Sequence, residues 1–204
     1  MKIVIVDYGM GNIKSITSAL SCIGVDEILL SNDFEILSCA DKIILPGVGS
    51  FGKAISAIKE YKIDQILNEV VIKQNRPLLG ICLGMQLLGK LSTEDGINEG
   101  LGFVDGIVEK FDNSFVKVPH VGFNQVLINN KSKLYSGFEG CNADFYFTHS
   151  YRMMSQSNIN ACFCNYSDDF VASFEIGNIA ATQFHPELSQ TNGLKLLKNF
   201  VDKF

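Results

Sequence analysis

The chain reads as a mixed α/β protein: a mainly parallel sheet flanked by helices, with an antiparallel extension. Three observations predict it. The first half alternates short apolar runs with longer stretches whose apolar residues recur every three or four positions, the pattern of strand–helix–strand units. The second half strings short strand-like pieces together with Asn, Gly and Ser between them, the pattern of antiparallel hairpins. Of the 204 residues 47% are apolar, enough to bury one substantial core, and no linker or repeat divides residues 1–204, so one domain is expected.

Residues 3–6 form the first apolar run, followed by a Gly-rich turn and a helical pattern through Ile13, Ile16, Ala19, Leu20 and Ile23. Segments 27–30 and 42–45 read as the second and third strands. A single helical stretch is expected from about 52 to 74, carried by Ile55, Ile58, Ile63, Ile66 and Leu67. The strand 77–81 comes next, with a helix beginning after Cys82. Beyond it, 102–111, 116–118, 122–127, 144–147, 159–165 and 171–176 read as short strands joined to the main sheet. A last strand at 179–183 leads through a loop to a terminal helix over 193–204.

Composition removes several classes of function. A net charge of −5 and a pI near 5.2 speak against a polyanion binder, so no nucleic-acid partner is expected. The opening Met1-Lys-Ile-Val-Ile-Val-Asp7 turns polar too early for a secretory signal, and no apolar run reaches the roughly 18 residues of a membrane span. A cytoplasmic protein with reduced thiols follows as the expectation. Cys22, Cys39, Cys82, Cys141, Cys162 and Cys164 have no framework spacing. Cys162 and Cys164 would share one strand face, but no second ligand pair accompanies them and no metal is expected. Asp7-Tyr-Gly-Met-Gly-Asn12 invites a dinucleotide site, yet the position of the third glycine holds Lys14. No cofactor is implied, and that loop is read as approaching the active site or a partner.

The chemistry lies in Pro77-Leu-Leu-Gly-Ile-Cys82-Leu-Gly-Met-Gln-Leu-Leu88. An apolar run leads into a cysteine bracketed by Gly80 and Gly84, and a helix-favouring segment follows. Such spelling suits a nucleophile held on a sharp strand-to-helix turn, where glycines let the chain bend and a helix N-terminus favours an anion. A nucleophilic thiol needs a base. His185 stands in Gln183-Phe-His-Pro-Glu187, where an extended backbone would put His185 and Glu187 on one side. Glu187 can then orient the imidazole while its other nitrogen faces the thiol. The loop Leu45-Pro-Gly-Val-Gly-Ser-Phe-Gly52 follows the third strand, beside the elbow in a parallel sheet. Its glycines let backbone N–H groups converge on a developing oxyanion, where one donor is typically worth about 3 kcal/mol.

In order and spacing, GICLGMQ (80–86), PGVGSFG (46–52) and QFHPE (183–187) are similar to the class I, triad-type glutamine amidotransferases, whose fold is flavodoxin-like. Within that family IVDYGMGN (5–12), KVPHVGFNQV (117–126), FTHSY (147–151) and LKLLKNF (194–200) resemble the glutaminase subunits of imidazole glycerol phosphate synthase, over essentially the full chain. The resemblance implies that Cys82 attacks the side-chain amide of L-glutamine, giving a thioester and ammonia, with His185 moving the proton and Glu187 holding His185. Backbone groups at Gly47, Val48 and Leu83 would form the oxyanion hole. Gln86 would help bind glutamine, and His149, Ser150 and Tyr151 would line the same pocket. The implied partner is a synthase subunit with a (β/α)8 barrel, in a heterodimer that receives ammonia through a channel.

His120 reads either as a partner-facing or as a scaffold histidine. Two positions depart from the family pattern: Phe123 replaces a tryptophan, and Leu188 replaces a lysine that makes an ionic contact across the interface. Both match the partner-facing rim, so a paralogue feeding ammonia to a surface-sugar amidotransferase stays open beside the histidine-pathway role. A non-catalytic docking module and a cysteine hydrolase of peptides or γ-glutamyl groups are the other readings. Retention of Cys82, His185 and Glu187 weighs against the module, and Gln86 with the HSY segment favours free glutamine over a longer chain.

Overall fold

The computed structural model describes residues 1–155 and 159–204. In chain order its strands are β1 (Lys2–Val6), β2 (Glu27–Ser31), β3 (Lys42–Leu45), β4 (Leu78–Ile81), β5 (Leu91–Ser92), β6 (Asn98–Glu99) and β7 (Gly106–Lys110). They continue with β8 (His120–Leu127), β9 (Asn142–His149), β10 (Tyr151–Ser155), β11 (Asn160–Tyr166), β12 (Asp168–Ile176) and β13 (Ile179–Thr182). The helices are α1 (Ile13–Cys22), α2 (Phe34–Ser38), α3 (Phe51–Glu60), α4 (Ile63–Leu67), α5 (Leu83–Leu87) and α6 (Gln190–Lys203).

Among the described residues the main sheet has nine strands in the order β2-β1-β3-β4-β13-β12-β11-β8-β9. From β2 to β13 neighbouring strands run parallel; from β12 outward they pair antiparallel. The mainly parallel sheet with an antiparallel extension is therefore present. β3, β4 and β13 are buried along their whole length, as strands covered on both faces must be. Alternation sorts their side chains: Ile43 and Leu45 enter one core layer, while Ile44 joins Ile3, Ile5 and Leu79 in the other.

Four expectations change. The stretch 52–74 is not one helix, because Lys62 adopts a left-handed φ of 57° between α3 and α4, and a wide π-type turn (Asn68–Lys73) follows. Ile58 and Ile63 lie five positions apart, out of helical phase, and the break at Lys62 lets both be buried. Segment 116–118 is no strand; Val116 and Val118 pack half-buried against the core from an irregular loop. Of 102–111 only β7 pairs, and it leaves the main sheet to join a smaller one, β10-β7-β5-β6. The strands β5, β6 and β10 and the helix α2, capped by Asp33 accepting from Ile36 N–H, were not read from the sequence. Asn12, after the Gly-rich turn, caps α1 without a side-chain bond.

This order determines where chemistry can sit. β3, β4 and β13 are neighbours, all parallel, so the segments leaving their carboxyl ends meet at one edge of the sheet. Open α/β sheets bind ligands at this edge. No helix among the described residues is long and apolar enough to cross a membrane.

Candidate active site

Cys82 leaves β4 with φ 53° and ψ −107°, a left-handed turn unusual for a side chain with a Cβ, and its N–H is tied to the Thr182 carbonyl of β13 at 2.7 Å. A Cβ on Gly84 would stand 1.9 Å from the Leu45 carbonyl oxygen, so only glycine lets α5 come this close to β3. The thiol opens on a cleft of about 320 Å3 lined by Val48, Gly49, Cys82, Leu83, Gln86, Glu94, Pro119, Thr148, His149, Ser150 and Tyr151. That volume suits a small ligand.

His185 and Glu187 meet, but not by sharing a strand face. Pro186–Leu188 forms a single 3-10 turn with His185 as its extended N-cap residue, and the turn brings His185 Nδ1 to 2.8 Å from Glu187 Oε1. Both side chains are buried. The backbone of His185 is held by its N–H to the Tyr146 carbonyl and by Ser189 Oγ on its own carbonyl. Nδ1 donates to the carboxylate, which leaves Nε2 for chemistry; Nε2 is buried with no hydrogen bond among the described residues. Burial disfavours a charge on this ring, but the negative charges of Cys82 and Glu187 on either side outweigh it and raise its pKa to about 10. A protonated His185 ring beside Cys82 is the arrangement this favours.

The loop after β3 divides into two parts. Val48 and Gly49 form the cleft wall, whereas Gly47 is packed beneath the elbow, where a Cβ would lie 2.7 Å from Tyr8 Oη and 2.8 Å from Leu83 Cβ. Gln86 donates from Nε2 to the Tyr151 carbonyl (2.9 Å) and to Gln183 Oε1 (3.0 Å). His149, Ser150 and Tyr151 line the opposite wall at the crossing from β9 to β10. Of the sequence-predicted site residues, Val48, Cys82, Leu83, Gln86, His149, Ser150 and Tyr151 line this cleft; Gly47 and His185 lie behind it, and Glu187 lines a separate hollow beside α1.

Sequence reasoning missed Glu94. It faces the cleft from the turn between β5 and β6, fixed by accepting the Phe51 N–H at 2.8 Å, and its charge, after burial, helps raise the Tyr151 phenol. No local motif marks Glu94, because the small sheet that delivers it was not anticipated. Gln183 was visible inside QFHPE yet read only as strand; its Nε2 lies 3.7 Å from Cys82 Sγ. His120 is buried, stacked on Phe147 and Tyr166, with Nδ1 at 3.1 Å from His149 Nε2. Of its two readings, the scaffold one holds. Phe123 and Leu188 are both exposed, at 51% and 38%.

The family model of class I glutamine amidotransferases matches residues 4–204. The chain belongs to that family. The amidotransferase is 42% identical over 205 residues to a protein of Aquifex aeolicus (strain VF5) named imidazole glycerol phosphate synthase subunit HisH, covering 100% of this chain and 97% of that one. It is 43% identical over 200 residues to imidazole glycerol phosphate synthase subunit HisH 1 of Campylobacter jejuni (strain RM1221), covering 98% of each. Its fold matches the structure of PurLQS from Thermotoga maritima with a TM-score of 0.75 at 20% identity, over 98% of this chain and 97% of that chain. At that identity the structural likeness speaks for the fold alone.

Proposed function

We propose that this amidotransferase is the glutaminase subunit of imidazole glycerol phosphate synthase, working in the cytoplasm in histidine biosynthesis. It hydrolyses L-glutamine to glutamate and ammonia and passes the ammonia to a cyclase subunit with a (β/α)8 barrel, in a heterodimer. One observation carries the chemistry: Cys82 on its strained turn lies near enough to His185 to raise its pKa, while Glu187 holds Nδ1 of that buried ring and leaves Nε2 unengaged. The kinship to subunits named for that synthase carries the pathway.

The groups define a sequence of steps. The Cys82 thiolate adds to the side-chain carbonyl carbon of glutamine, and the carbonyl electrons move to oxygen. Leu83 N–H, next after the nucleophile, and the backbone of the Gly47–Val48 segment stabilise that oxyanion. The His185 imidazolium gives its Nε2 proton to the leaving nitrogen, the C–N bond breaks, and ammonia departs from a thioester. Neutral His185 then takes a proton from water as it attacks the thioester, and collapse returns the thiolate, the imidazolium and glutamate. Glu187 keeps Nδ1 protonated throughout, which holds the ring in the tautomer the steps require.

Recognition of free glutamine falls to the remaining wall. Both Gln86 N–H groups are engaged, so its Oε1 stays an acceptor for the substrate's α-ammonium, and the Glu94 carboxylate supplies the opposite charge. A glutamine whose α-nitrogen is in a peptide bond lacks that ammonium. Ser150 adds a hydroxyl, with His149 and Tyr151 closing the same side.

The partner fits the outer face of β8, where Val121, Phe123 and Leu127 are exposed beside Leu188. Pro119 and Thr148 line the cleft from this same edge, so a barrel seated here would cover the exit. The test mixes the protein with its cognate cyclase and follows ammonia from glutamine. Cyclase-stimulated ammonia release, abolished by Cys82→Ala, is expected; transfer only to a surface-sugar amidotransferase would overturn the pathway assignment.

A further inference from the structure

A chain of hydrogen bonds runs from the outer sheet to the sulfur of Cys82, and two backbone carbonyls fix the direction of every link. At the inner end the Tyr151 carbonyl oxygen can only accept. It receives His149 Nδ1 at 2.8 Å and Gln86 Nε2 at 2.9 Å, so both atoms carry protons. Gln86 must then present its second N–H to Gln183, and Gln183 must answer with Oε1, at 3.0 Å. The other end of the Gln183 amide is therefore its NH2 group, 3.7 Å from Cys82 Sγ. Turning that amide over would set two carbonyl-type oxygens against each other or break the Gln86 bond.

On the outer side the Asn165 carbonyl likewise can only accept, and Asn124 Nδ2 donates to it at 3.2 Å while Asn124 Oδ1 takes the Gln125 N–H at 2.8 Å. Asn124 Nδ2 lies 3.4 Å from His120 Nε2, which must accept. His120 Nδ1 then donates to His149 Nε2 at 3.1 Å, and His149 Nδ1 donates to Tyr151. The assignment reached from Asn165 agrees at every link with the one reached from Tyr151. No link is frustrated, and both histidines are neutral with the proton on Nδ1.

We propose that Gln183 is a positioning residue for the Cys82 thiolate, its amide set by the Tyr151 carbonyl through Gln86 so that an N–H faces the sulfur. The role rests on the reading of Cys82 as the nucleophile. An N–H aimed at the sulfur favours its anion, whereas an oxygen in that place would repel it. Gln183 is fully buried, so water does not stand in for the missing donor.

The experiment compares the full-length protein with Gln183→Met, which removes both polar ends, and Gln183→Glu, which puts a carboxylate oxygen against the sulfur. Alkylation of Cys82 by iodoacetamide is followed by peptide mass spectrometry, since exposed Cys22, Cys39 and Cys141 also react. Glutaminase kcat and KM are measured with the cyclase present. Alkylation should fall about tenfold in Gln183→Met and about 100-fold in Gln183→Glu, with kcat falling in parallel and KM for glutamine within about twofold. A reactive Cys82 indifferent to both substitutions overturns this role alone. A wild-type Cys82 inert to the reagent and to glutamine overturns the nucleophile itself and, with it, this role. Should the variants fail to fold, the side-chain NH2 resonances of Gln183 in the wild type decide: they are expected to shift when Cys82 is alkylated, and resonances that stay in place overturn the role.

Discussion

Tyr8 donates its hydroxyl proton to the Pro46 carbonyl oxygen at 2.6 Å, and the bond is buried directly behind the loop that faces Cys82. Burial, then the nearby Cys82 charge, raises the Tyr8 pKa, so the phenol keeps its proton and stays a donor. Because a peptide is planar, holding the Pro46 carbonyl also sets the direction of the Gly47 N–H that follows it. The YGMGN segment thus meets the active site through Tyr8, as the sequence suggested for that loop.

Tyr8→Phe should leave the Pro46 carbonyl unsatisfied and cost about 1–3 kcal/mol of stability. It should also lower glutaminase kcat about tenfold with KM little changed if, as proposed, the loop places oxyanion donors rather than substrate. Urea unfolding and steady-state kinetics with the cyclase check both; an unchanged kcat would remove Tyr8 from the site's support.

Two glycines should respond in opposite ways. Gly84→Ala drives a Cβ to 1.9 Å from the Leu45 oxygen and should destabilise by at least about 3 kcal/mol or prevent folding. At Gly52, in the first turn of α3, the nearest atom would be Asn98 Oδ1 at 3.4 Å, an ordinary contact. Gly52→Ala should stabilise by about 0.5 kcal/mol through lost freedom in the unfolded chain. Thermal unfolding separates the pair.

Acid should weaken the fold through His120 and His149. Burial lowers their pKa values to about 4 and about 3, below an unfolded value of about 6.5. Unfolding therefore takes up protons below about pH 6.5, so their contribution is complete above that pH and is lost as pH falls toward the folded values. By pH 5 the loss is about 2 kcal/mol for each. His185 runs the other way: raised to about 10, it stabilises fully below about pH 6.5 and loses that contribution as pH rises toward 10. Urea midpoints at pH 7 and pH 5 test the sign, and equal midpoints would contradict neutral burial of the histidine pair.

The exposed apolar face offers a partner test. Phe123→Ala should weaken cyclase binding tenfold or more, and Leu188→Lys should change the affinity while ammonia release at saturating cyclase survives. Unchanged titration curves for both would tell against a rim role for these residues.

What the sequence revealed follows a physical division. The parallel half was legible because β3, β4 and β13 are continuous apolar runs and the Cys82 turn carries its glycines locally. His185 and Glu187 were legible as a pair, although a 3-10 turn rather than an extended strand joins them. The small sheet was not, since β5 and β6 are only two residues long each and the sheet is completed by β10, which pairs with β7 from far along the chain. Glu94 was lost with it. Directions within the Gln183–Gln86–Tyr151 chain could not be read either, because they depend on a carbonyl that any residue possesses.

The central claim is that Cys82 forms a thioester with the side-chain acyl group of glutamine. Rapid acid quench of the protein with its cyclase and glutamine, followed by peptide mass spectrometry, measures it directly. The account predicts, on the peptide holding Cys82, a gain equal to glutamine less ammonia, lost on treatment with hydroxylamine and absent in Cys82→Ser. Ammonia released at full rate by Cys82→Ser, or an adduct on another residue, would contradict it.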